Sequence, residues 1–138
     1  MEALDHLSPT IKYGGTFERG TRIRFGDRSH LYISGTASID RNGKVVHISD
    51  IGKQARRTLE NISALLEPHG AVLADMAYLI VYIRTIKYRS QVEEALKDTV
   101  DNKIPLIFVE SPVCRPTWLV EMEGIGIIPD SNEFPPFF

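Results

Sequence analysis

The sequence predicts an α+β domain: one sheet with two helices packed on a single face. Two observations lead there. Segments rich in β-branched residues, or alternating polar with apolar ones, occupy the regions 19–39, 76–86 and 105–128, and two stretches of helical periodicity lie between them. The resulting order is strands, helix, strand, helix and two more strands, which suits helices layered on one side of a sheet. At 138 residues, 43% hydrophobic and 25% charged, the chain has the size of one domain that buries a core without staples. Residues 1–138 are therefore read as a single domain with loosely held termini at 1–12 and 129–138.

Residues 1–12 are mixed and contain Ser8-Pro9, and Tyr13-Gly14-Gly15-Thr16 reads as a flexible turn. From Arg19 to Phe25 polar and apolar residues alternate, and Gly26-Asp27-Arg28-Ser29 reads as a hairpin connection into His30–Ile39, expected as an antiparallel neighbour. Gly35 inside that second strand marks a bulge or a close approach of another backbone or a ligand. Asn42-Gly43 is a tight-turn signal, so Lys44–His47 is expected to fold back as a short strand.

A helix is predicted over 51–67, capped by Ser49 or Asp50 and stopped by Pro68-His69-Gly70. Ile51, Ala55, Leu59, Ile62, Leu65 and Leu66 recur at its spacing and form the face that packs on the sheet. Met76–Ile86 is an apolar central strand. A second helix is expected from Ser90, where Ser90-Gln91-Val92-Glu93 has the form of a capping box, and it runs through Val92, Ala95, Leu96 and Val100. Pro105–Val109 and the stretch from Trp118 to Ile128 are the last strands. The tail Phe134-Pro135-Pro136-Phe137-Phe138 is aromatic enough to dock, while its prolines exclude helix and central strand. Two helices leave one sheet face without cover, and an apolar face of that kind is commonly hidden in a symmetric oligomer.

Sixteen basic against 18 acidic residues give a net charge of −2, so no global field favours nucleic acid or an anionic membrane. The basic run Arg19, Arg22, Arg24 and Arg28 sits at strand-like intervals and reads as a solvated face. No stretch approaches the length of a membrane span, and the start of the chain lacks the pattern of a signal peptide. One cysteine, Cys114, permits no internal disulfide, which fits a reduced cytoplasmic protein. The four histidines have no paired spacing, so no metal is assigned. Gly124-Ile125-Gly126 lacks the strand-to-helix context of a phosphate loop, and no cofactor is assigned.

The chemistry concentrates near the C-terminus. Alternation along the last strand puts Glu121 and Glu123 on one face. Burying such carboxylates costs several kcal/mol without a partner, so that face is either wet or met by a cation. Arg115, in the turn Cys114-Arg115-Pro116-Thr117, is the nearest candidate, either as an anion anchor or as the partner in an ion pair with Glu121. Cys114 beside an arginine reads as a cleft-lining residue or as a thiol with a lowered pKa. Arg84 at a strand end reads as a second anion anchor or a solvated terminus.

Taken together, Ile33-Ser34-Gly35-Thr36 before an Asn-Gly turn, Gln54 through Thr58-Leu59-Glu60-Asn61-Ile62, Val81-Tyr82-Ile83 and Val120-Glu121-Met122-Glu123 resemble the Rid (YjgF) family over most of residues 16–128. The resemblance implies a chorismate-mutase-like fold, a homotrimer with clefts between subunits, and hydrolysis of imines or enamines to ammonia and a 2-oxo acid. It also implies that Ser34, Gly35 and Thr36 line the cleft with Glu121, and that Phe17 stands where the family often has a tyrosine. The position of the usual arginine, two residues after Pro105, is Ile107, and a family asparagine falls at Glu93. Cys114-Arg115 instead resembles the segment before the corresponding strand in chorismatases, so Arg115 is expected to supply the missing charge. Three functions follow as expectations. They are an imine or enamine deaminase with Glu121 and Arg115 catalytic, a non-catalytic binder of small carboxylated metabolites, and a chorismatase-like hydrolase or lyase. The family's ribonuclease descriptions find little support in this net charge.

Overall fold

The computed structural model describes residues 1–100 and 104–138, with Tyr13 described as backbone only. Its strands are β1 (Gly20–Arg24), β2 (Arg28–Ala37), β3 (Met76–Ile83), β4 (Leu106–Glu110) and β5 (Val120–Pro129), and its helices are α1 (Ile51–Leu66) and α2 (Arg89–Leu96). The strands form one sheet in the order β1-β2-β5-β3-β4. All neighbours are antiparallel except β3 and β4, which run parallel across the connection that carries α2. The predicted α+β class, with both helices on one sheet face, is the one observed.

Burial explains that layering. Along β5, Val120, Met122, Gly124, Gly126 and Ile128 are buried and alternate with more open residues, as a strand covered on one face requires. They share a core with Leu31 and Ile33 of β2, Leu79, Val81 and Ile83 of β3, the Ala55-Leu59-Ile62-Leu65 stripe of α1, and Val92, Ala95 and Leu96 of α2. On the opposite face the register sets Ile23 beside His30, Tyr32 beside Ile125, Ile125 beside Tyr78, and Ile80 between Glu123 and Ile107. Ile23, Tyr32, Ile107 and Ile127 of this face stay exposed, so a largely apolar surface remains uncovered in the single chain.

The Asp50 side chain caps α1 by accepting the Lys53 N–H at 2.9 Å. Ser49, the alternative cap, instead takes a positive φ of 66°, as does His47 at 58°. Those two left-handed residues end extended backbone early, and the expected strand 44–47 is reduced to a single bridge between Ile39 and Val45. The expected capping box at Ser90 is also absent. A 3-10 turn over Ile86–Tyr88 leads into α2 directly, so Ser90 is already the second helical residue, and Glu93 pairs with Arg89 at 2.9 Å.

The termini differ from the loose ends expected. Leu7 and Ser8 are buried, and the amino group of Met1 donates to the Gly20 carbonyl at 2.6 Å. At the other end, Gly26 N–H donates to Pro135 O at 2.7 Å, and the Phe137 ring packs on Phe25 and His30 with centroids 4.9 and 4.8 Å away. An apolar residue in a mixed lead-in, and a ring after two prolines, found tertiary partners that local composition does not reveal. Among the described residues no helix is long and apolar enough to cross a membrane.

Candidate functional site

A bulge builds the site. Ile33 pairs with Gly124 and Thr36 with Met122, so β2 advances three residues while β5 advances two. The extra residue falls at Ser34-Gly35, where the ladder opens opposite Glu123, one pair away from Glu121, which lies across from Ala37. The missing side chain of Gly35 makes room for the carboxylate: a Cβ at this position would fall inside the van der Waals shell of Glu121 Oε1 and 3.3 Å from its Cδ. Of the two readings of Gly35 the bulge is present, and what comes close is neither another backbone nor a ligand but the Glu121 side chain. The Ser34 hydroxyl donates to Glu18 O at 2.7 Å, which ties the segment carrying Phe17 to the bulge. The Thr36 hydroxyl is fully buried and donates to Ser34 O at 2.8 Å.

Glu121 is half-buried, and its pKa is raised by burial first and by the neighbouring charge of Glu123 second. The opposing influence is a backbone hydrogen bond from the Cys114 N–H. No cation among the described residues offsets the first two. Glu123 in turn accepts the Tyr82 hydroxyl at 2.7 Å and holds the phenol up to about 12. Tyr82 lies directly across from Glu121 on β3. Alternation along β5 correctly placed the two carboxylates on one face, but Tyr82 did not emerge from the sequence because its partnership depends on strand register.

The loop 111–119 that borders Glu121 is held from both sides. On the sheet side, Arg84 Nε donates to Trp118 O at 2.8 Å and its Nη2 to Val113 O at 3.0 Å and Arg115 O at 2.6 Å. On the helix side, Gln54 is fully buried; its amide nitrogen donates to His47 O and Thr117 O, and its oxygen accepts the Leu119 N–H. Arg84, read from sequence as an anion anchor, is thus engaged with backbone carbonyls. Gln54 was noted only as part of a helical motif, and its loop contacts cross too much sequence to be legible.

Arg115 donates to Gly43 O at 3.1 Å and lies over the Trp118 ring at 5.2 Å. Cys114 is exposed on the same loop. Phe17 is exposed and has the Arg19 guanidinium over its ring at 5.3 Å. Ile107, also exposed, lies on the uncovered face across Ile80 from Glu123. The structure therefore brings Ser34, Gly35 and Glu121 to one place, with Cys114 and Arg115 on the bordering loop and Phe17 on the segment joined to Ser34, whereas Thr36 is fully buried opposite Met122 on the core face. The hollow of about 600 Å³ between α2 and β4, lined by Arg89, Glu93 and Phe108 among others, contains none of these residues. Among the described residues no three His, Cys, Asp or Glu side chains converge to hold a metal ion.

Comparison with known proteins agrees with this fold. The chain is similar to YyfA, a Rid-family protein of unknown function from Yersinia pestis, at 27% identity and a TM-score of 0.77 over 92% of this chain and 96% of that one. It superposes on RidA from an Antarctic Psychrobacter with a TM-score of 0.78 at 20% identity, covering 93% of this chain and 98% of that one, a likeness of fold. A chorismatase matches at 27% identity and a TM-score of 0.74 over 88% of this chain, which spans 40% of the chorismatase. The family model described as endoribonuclease L-PSP matches residues 21–128. The chain belongs to that endoribonuclease L-PSP family, the YjgF/Rid family.

Proposed function

We propose that the protein is a homotrimeric cytoplasmic hydrolase that converts imine or enamine intermediates of amino-acid metabolism into 2-oxo acids and ammonia, without a cofactor. The observation that carries this reading is Glu121, a half-buried carboxylate of raised proton affinity seated against the Gly35 backbone where the sheet opens. A carboxylate so tuned takes and returns a proton more readily near neutral pH than an ordinary one. Glu121 removes a proton from water as its oxygen attacks the iminium carbon. It then returns that proton to the carbinolamine nitrogen, and ammonia leaves as the carbon–nitrogen bond breaks, the hydroxyl giving its proton to the freed Glu121 carboxylate as the carbonyl forms.

Ser34, Gly35, Phe17 and Cys114 line the cleft. Arg115 anchors the substrate carboxylate through a charge-assisted pair. A partner subunit lying on the uncovered sheet face closes the cleft, which a single chain leaves open.

A second reading, retention of small carboxylated metabolites without turnover, is favoured by Ile107 at the usual arginine position. The Cys114-Arg115 loop beside Glu121 favours a third, chorismatase-like hydrolysis. One experiment separates them: the imine is generated with an amino-acid oxidase and oxo-acid formation is followed with and without the protein. Glu121→Gln is expected to lower turnover by on the order of a hundredfold with little change in binding. Arg115→Ala is expected to weaken binding by roughly 1.5–3 kcal/mol. No acceleration by wild type across several side chains, with oxo acids still bound, establishes the binding reading. Conversion of chorismate in place of imines establishes the third.

A further inference from the structure

We propose that the hollow bordered by Glu123 on the uncovered sheet face is a subsite for a positively charged side chain, so that the substrates are imines derived from basic amino acids. The inference rests on the reaction proposed above, with Glu121 at the reacting carbon, and adds the class of substrate. The hollow measures about 320 Å³ and is lined by Tyr32 and Ile33 of β2, Tyr78 of β3, and Glu123, Gly124 and Ile125 of β5. Its position follows from register. Glu121 and Glu123 stand on the same face of β5, two residues and hence about 6.6 Å apart along the strand. Beyond Glu123, Ile125 lies between Tyr32 and Tyr78. The loop carrying Arg115 precedes Glu121 in the chain, so a substrate whose carboxylate is anchored there points its side chain the other way, past Glu123 and between the two tyrosines.

The hollow carries one charge, and it is negative. Glu123 Oε1 accepts the Tyr82 hydroxyl at 2.7 Å, while Oε2 has no hydrogen-bond partner among the described residues. A guanidinium or ammonium brought to Oε2 gains a charge-assisted hydrogen bond, and the Tyr32 and Tyr78 rings attract a cation through their quadrupoles. The reach agrees as well, because the stem of a lysine has four carbons and covers a distance like that from Glu121 to Glu123. An apolar side chain in the same place strips water from Glu123 and supplies no partner, which costs free energy. The site thus selects by charge at both ends of the substrate, a carboxylate at Arg115 and a cation at Glu123.

The test compares imines made from arginine and from citrulline, which match in shape and differ in charge. Each is generated with an amino-acid oxidase, and kcat/KM for its conversion to the oxo acid is measured. Wild type is expected to favour the arginine imine by about tenfold or more, and Glu123→Gln to bring the ratio near one. Both imines react at Glu121, so any effect of the substitution on Glu121 cancels in the ratio. Glu60→Gln, at an exposed carboxylate of α1, is expected to leave the ratio in place. Equal rates for the two imines in wild type, the result if a partner subunit's own side chains fill the hollow, overturn the proposal while the reaction stands. A preference for arginine that survives in Glu123→Gln overturns it too. If Glu123→Gln does not fold, Glu123→Asp, which keeps the charge on a shorter stem, decides, and an undiminished preference there overturns the proposal. If wild type accelerates neither imine, the deaminase reading fails, and calorimetry with arginine and citrulline decides on the subsite. Tighter arginine binding that Glu123→Gln abolishes upholds it, and equal or absent binding overturns it.

Discussion

Adding one methyl group at Gly35 separates stability from function in this fold. The new Cβ overlaps Glu121 Oε1, the end of a flexible side chain, and lies 3.3 Å from Cδ and 3.7 Å from Cγ. To reach ordinary contact the carboxylate must retreat by about 1 Å, which a change of rotamer accomplishes at a cost of about 0.5–1.5 kcal/mol. A displacement of that size in a catalytic group lowers the rate by about a hundredfold. Gly124, opposite Ile33 on the same pair of strands, is the comparison. There a Cβ would overlap the backbone oxygen of Tyr78 and come within 2.9 Å of Met76 Cε and 3.1 Å of Leu79 Cδ2. Backbone cannot turn aside, so Gly124→Ala is expected to cost about 2 kcal/mol or more through overpacking. Urea unfolding and the imine assay on both variants form the test. Gly35→Ala should remain near wild-type stability and lose turnover, and Gly124→Ala should lose stability. A Gly35→Ala protein with full turnover would refute the placement of the working carboxylate against this glycine, and one as unstable as Gly124→Ala would refute the account of a yielding side chain.

Gln54→Leu removes both amide functions and leaves the Leu119 N–H and the Thr117 and His47 carbonyls without that partner; about 2 kcal/mol or more should be lost in urea unfolding. Asp130 has its pKa driven well down, by the Arg24 hydrogen bond first and then Ser29, with Asn132 and Arg22 adding to it. Its folded pKa lies below its unfolded one, so its contribution is present above the ordinary carboxylate range and is lost as pH falls through that range and below. Wild type should therefore lose its stability advantage over Asp130→Asn on acidification, as urea midpoints measured from pH 6 to pH 2 would show. Light scattering should return a trimer at micromolar concentration for wild type. Ile80→Arg, on the uncovered face, should return a monomer, because the interface would then bury an unpaired charge.

How much of the site was legible follows the range of the interactions involved. The shared face of Glu121 and Glu123 could be read because a strand alternates every residue. The bulge at Gly35 could be suspected because glycine in a β-rich run needs a reason. Arg115 and Arg84 read alike, as candidate anion anchors, since charge is visible in a sequence and direction is not. In the fold Arg84 donates to three carbonyls of one loop and Arg115 to Gly43.

The sequence by itself determined a helix starting at Ile51 with its cap at Ser49 or Asp50, the β1–β2 hairpin, the layering of both helices on one sheet face and the family. Each of these depends on periodicity, on turn and capping chemistry within a few residues, or on motifs kept in order. Only the tertiary structure decided that β5 inserts between β2 and β3, that Leu7 is buried, that Phe137 docks on Phe25 and His30, and that Ser90 is not a cap. It alone decided which groups set the proton affinity of Glu121. These outcomes depend on strand register and on which carbonyls remain unpaired once the sheet has closed, and such quantities exist only when distant segments meet.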